Sequence, residues 1–184
     1  VYILDKSTYK ITAFEDPRLR DKEIINLHST SDGSVWVCIV GVLFRFRPDG
    51  SEINTYAIGS GGTSRTIHSL FVNRNNEIIA SVWNGGIYKL DNKTDTFVPF
   101  HDAPKGNSTN YILQDKDKPD YWLGTRGHGI IRFDPDAPED SMYVYQPLPI
   151  NSKGETDKFV LYMAQDNIYG YIWVTMATDL FVFE

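Results

Sequence analysis

Four stretches of the chain repeat one pattern of apolar and polar positions: SDGSVWVCIVGVLFRF (31–46), NNEIIASVWNGGIYKL (75–90), KPDYWLGTRGHGIIRF (118–133) and YGYIWVTMATDLFVF (169–183). Alignment places Trp36, Ile79, Trp122 and Trp173 in one column, at spacings of 43, 43 and 51 residues. An aliphatic column follows at Leu43, Ile87, Ile130 and Leu180, and a further apolar column at Phe46, Leu90, Phe133 and Phe183. Upstream of each anchor lies another short apolar segment: EIINL, TIHSLFV, YIL and FVLYMA. Each unit therefore reads as four short strands. Turn signals separate them, such as DG at 32–33, NN at 75–76, KPD at 118–120 and PDG at 48–50. No segment longer than about ten residues carries a helical period.

Four-stranded units recurring every 40–45 residues or so predict an all-β fold, a β-propeller of four-stranded antiparallel blades. A blade cannot bury both of its faces alone, so neighbours stack and the anchor side chains fill the gap between them. The pattern divides the chain into the end of one blade (1–23), three blades (24–65, 66–108, and 109–157 with a longer last connection) and the start of another (158–184). The segment VYILD at the start aligns with IYKLD at 87–91, and LFVFE at the end falls on the same strand position. That position occurs five times. The expectation is about four blades forming an arc of a larger propeller, seven-bladed or similar. Its open edges would make the piece marginal or aggregation-prone alone.

Composition narrows the class. Of 184 residues, 41% are hydrophobic and 23% charged, which is globular and not disordered. A net charge of −6 argues against a nucleic-acid binder. No window approaches the roughly 18 apolar residues of a membrane span, and the N-terminus has no signal pattern. The single cysteine, Cys38 in VWVCIV, reads as a small buried hydrophobe.

The order of an apolar segment, an acidic turn, W-[LV]-G-T, then G-[IL] and [FL]-D resembles the two-component regulator propeller repeat. YWLGTRGHGIIRFD (121–134) matches it best. SDGSVWVCIVGVLFRF has Cys38 and Ile39 in place of Gly and Thr. YIWVTMATDLFVF keeps Trp173 and Thr175 without the glycines, and NNEIIASVWNGGIYKLD has Ile79 at the anchor. The resemblance implies the periplasmic sensor region of a hybrid two-component histidine kinase. The parent would be anchored in the inner membrane, with homodimerisation and oligosaccharide recognition as properties of that parent. No kinase or regulator motif occurs here. The alternatives are a protein-interaction scaffold and an arc of a carbohydrate-active enzyme.

Chain direction places the second-to-third-strand turns and the inter-blade connections on one face of the disc. That face carries Arg65, Lys105, Arg126, His128, Lys153 and Lys158, while Asp residues crowd the opposite turns. The acidic side reads as ordinary turn chemistry. The candidate ligand-binding set is Trp83, Asn84, Arg126, His128 and Arg65, suited to an oligosaccharide, with an anionic one favoured by the cations. Trp83 itself has two readings: a flat ring for stacking on sugar, or a filler for space left by Ile79. The four histidines lack metal-ligand spacing, so neither metal nor cofactor is expected. On that face only Asp102, Glu155 and Asp157 could serve as acid and base, all of them in loops, so no catalytic residue is assigned.

Overall fold

The computed structural model describes residues 1–58, 67–83, 85–101, 109–138, 141–145, 154, 159–177 and 179–184. Of the sequence-derived candidates, Asn84 and Arg65 lie outside the described residues. Every element among the described residues is a strand, and no helix there is long and apolar enough to cross a membrane.

The strands form antiparallel sheets in chain order. A two-stranded sheet pairs β1 (Tyr2–Leu4) with β2 (Ile11–Ala13). The first blade holds β3 (Ile24–Ser29), β4 (Val35–Ile39), β5 (Val42–Phe46) and β6 (Glu52–Tyr56). The second holds β7 (Ile67–Val72), β8 (Ile78–Val82), β9 (Gly86–Asp91) and β10 (Thr96–His101). The third holds β11 (Thr109–Gln114), β12 (Tyr121–Thr125), β13 (Ile130–Phe133) and β14 (Tyr143–Tyr145). The fourth sheet is β15 (Val160–Gln165), β16 (Ile172–Met176) and β17 (Leu180–Phe183). In each, strands pair in simple sequence order, and the inner strands β3, β7, β11 and β15 touch one after another. This is the all-β propeller arc that the repeat columns predict.

Alternation along the second strands explains the stacking. In β8, Ile78, Ala80 and Val82 join the buried cluster with Trp36, Cys38 and Leu43 of the first blade. Ile79, one step out of phase, joins Leu123, Ile131 and Phe133 of the third. Trp122 packs against the cluster built on Val160, Met163 and Val174. The anchor column thus faces the following blade each time. In the fourth sheet the same face carries Trp173, paired with Val182, and both are 43% exposed.

Two further features recur. Every inner strand has a bulge at the same place, between Ile24 and Asn26, Ile67 and Ser69, Thr109 and Tyr111, and Val160 and Tyr162. Each bulge leaves one residue without a cross-strand partner and re-aims its side chain. The turns on the acidic side are closed by their own carboxylates and amides. Asp115 Oδ1 accepts from the amides of Asp117 and Lys118, Asp166 from those of Ile168 to Tyr171, and Asn73 from those of Asn75 and Glu77. Asp5, Asp49 and Asp91 do the same between the third and fourth strands. Much of the negative charge is therefore turn chemistry.

Candidate functional site

Trp83 follows β8 in a turn closed by the Gly85 amide on the Val82 carbonyl. On β8 it continues the phase of Ile79 and Ser81, which points it toward the third blade. It is 37% exposed. The Arg126 guanidinium, from the equivalent turn of the third blade, lies over the Trp83 ring at 5.1 Å. The same guanidinium lies 4.7 Å from the ring of Phe159, and the backbones of Arg126 and Phe159 form an antiparallel bridge. On β7, the bulge turns His68 to Trp83, with ring centroids 4.9 Å apart and planes at 33°.

These four residues form one stack running across three blades. Ile79 is fully buried among Leu123 and Phe133, while Trp83 packs on His68 and Arg126. The ring is thus a layer of a stack. The guanidinium lies over both rings, and its N–H donors radiate in its own plane, where a carboxylate or hydroxyl-rich group can reach them. Burial, and then the nearby Arg126 charge, hold the His68 imidazole below its ordinary value. At neutral pH, Arg126 is therefore the charged member of the four.

The turn that presents Arg126 is built by its sequence. Thr125 Oγ1 donates to the Gly129 carbonyl and accepts from the His128 amide. Gly127 and Gly129 take positive φ of 132° and 70°, which a side chain there would oppose. His128 is exposed in this turn beside Arg126. The structure therefore brings Trp83 and Arg126 into contact, with His128 adjacent. His68 and Phe159 were not singled out by the sequence pattern. Phe159 does carry a signal: its column otherwise holds Glu23, Thr66 and Ser108, so an aromatic there stands out.

No family model matches the sequence, and no curated protein does. Solved structures match in shape. The extracellular domain assigned to the hybrid two component system BT4673 of B. thetaiotaomicron superposes with a TM-score of 0.75 at 17% identity, over 98% of this chain and 24% of that one. The corresponding domain of BT3049, from the same organism, gives 0.67 at 20% identity over 95% and 22%. PorZ, a surface component of the type-IX secretion system of Porphyromonas gingivalis, gives 0.62 at 17% over 86% and 24%. The chain spans less than a quarter of each. What is shared at these identities is the fold.

Proposed function

We propose that this chain is part of an extracytoplasmic, non-catalytic sensing propeller of a bacterial two-component signalling protein. In this reading it recognises an oligosaccharide at the Trp83–Arg126 stack, and the parent protein relays binding to a histidine kinase. Support for the sensor role comes from the shape shared with extracellular domains of hybrid two component systems. The observation that carries the site is the Arg126 guanidinium held between Trp83 and Phe159 on an exposed turn. Its planar donors suit the carboxylates and hydroxyls of an acidic saccharide better than an apolar ligand. A stack that joins three blades also gives a ligand purchase on their relative placement, which a sensor needs if binding is to favour one arrangement of domains.

The test is calorimetry of the intact extracellular region with acidic and neutral oligosaccharides. Trp83→Ala is expected to weaken binding roughly tenfold, the scale of a lost aromatic contact. Arg126→Lys is expected to weaken it comparably, because lysine keeps the charge and loses the planar fork. Unchanged affinity in both variants would overturn the site.

A further inference from the structure

The recurring bulge has a second effect, away from the Trp83 stack. The residue after each bulge is Asn26 on β3, Ser69 on β7, Tyr111 on β11 and Tyr162 on β15. These four stand at one level of the four inner strands. Together with His28 and Phe71 they line a cavity of about 240 Å³. An aliphatic residue at this level would satisfy packing alone, yet all four blades supply a neutral hydrogen-bonding group.

The chemistry of the lining is specific. No carboxylate, ammonium or guanidinium borders the cavity. The Asn26 side-chain amide donates to the Leu70 carbonyl at 3.4 Å, beside His28 in the cavity wall. Burial holds the His28 imidazole below its ordinary value, which favours the neutral ring, with one donor and one acceptor nitrogen. The Tyr111 and Tyr162 rings meet at 4.7 Å. Ser69 is only 2% exposed and lines the cavity.

We propose that this cavity is a second binding site, separate from the Trp83 stack, for a small neutral polyhydroxylated molecule such as a single sugar ring or a cyclitol. Aromatic walls accept the C–H face of such a ring, and the amide, imidazole and hydroxyl groups match its hydroxyls. The size agrees. At about 240 Å³ the space falls below the roughly 300 Å³ at which pockets for drug-sized ligands begin, so it takes one ring and not a chain.

The experiment titrates the full-length protein with glucose, myo-inositol and glucuronate, read by saturation-transfer NMR and calorimetry. Saturable binding of a neutral probe is expected, weakened about tenfold by Ser69→Ala and by Tyr111→Phe, the scale of one lost hydrogen bond. Both substitutions remove one hydroxyl and keep the packing, and circular dichroism checks the fold of each. The proposal fails if neither neutral probe binds at tens of millimolar and the cavity holds only ordered water. It fails equally if both variants bind as the parent does, or if glucuronate is preferred. The cavity shares no residue with the Trp83 stack, so failure here leaves the oligosaccharide reading standing, and the converse also holds.

Discussion

Arg126 is where three blades meet. It belongs to the third, its backbone pairs with Phe159 ahead of the fourth, and its guanidinium covers Trp83 of the second. The contact with Trp83 places a fixed positive charge near His68, whose imidazole is lowered first by burial and second by that charge. Replacing Arg126 by Gln should therefore raise the His68 pKa part of the way to its ordinary value. His28, lowered by burial without Arg126, should stay where it is. Histidine ring NMR over a pH series resolves the two, and parallel movement of both would contradict the stack. The sequence exposes half of this arrangement. Trp83 and Arg126 share a turn column, so alignment alone pairs them. His68 was invisible because its direction depends on a bulge, and a bulge leaves no mark on an apolar alternation.

At the scale of the element, the glycine of W-L-G-T has a defined task. A Cβ on Gly124 would stand 2.5 Å from Val160 Cγ1, where β12 meets the inner strand of the fourth sheet. Val160 is fully buried and β-branched, so it has little freedom to turn aside. Gly124→Ala is expected to destabilise by about 1–3 kcal/mol, the usual cost of overpacking. Adding Val160→Ala should recover part of that loss, a coupling that urea denaturation of the double-mutant cycle measures. Two independent costs in that cycle would refute the clash. The strands and their order were legible because four units repeat the same columns. What the columns could not convey is which blade each anchor faces, since both phases of β8 carry an isoleucine and both are buried. The inner-strand cavity was hidden for another reason: the turn after the inner strand is one residue longer in the third and fourth units, so counting back from the anchor column does not bring Asn26, Ser69, Tyr111 and Tyr162 together.

Across the whole molecule, the carboxylate-capped turns give stability a pH dependence with a definite sign. Hydrogen bonds from Thr30 and the Ser34 amide hold Asp32 well below the usual carboxylate range, and the Tyr169 amide leads those that lower Asp166. Burial pushes Asp115 up, but bonds from the Trp122 indole and the Asp117 and Lys118 amides outweigh it and the net shift is down. A carboxyl lowered in the folded state stabilises it above the unfolded value of 3.8, and that contribution is lost as pH falls through the folded value. The melting temperature should therefore be flat down to about pH 5 and drop below about pH 4. Asp120, raised chiefly by burial, works the other way but stands against several lowered groups. A thermal melt series that stays level to pH 2 or so would show that the caps contribute little.

The seams between blades differ from one another in a way that carries information. Where the second strand crosses the next inner strand, Cys38 shares a cluster with Ile67, Ser81 Oγ donates to the Thr109 carbonyl, and Gly124 makes room for Val160. Each seam is a lock cut for one key. In a protein made of near-copies, any sheet has the backbone to dock on any other, and misordered or exchanged sheets are the standing hazard of such chains. Val160 set against Ser81 would overfill the gap, and Thr109 set against Gly124 would lose its hydroxyl donor. The small-residue column thus meets a different neighbour at each seam, so a change at one of Cys38, Ser81 or Gly124 disturbs that seam and leaves the other two as they are.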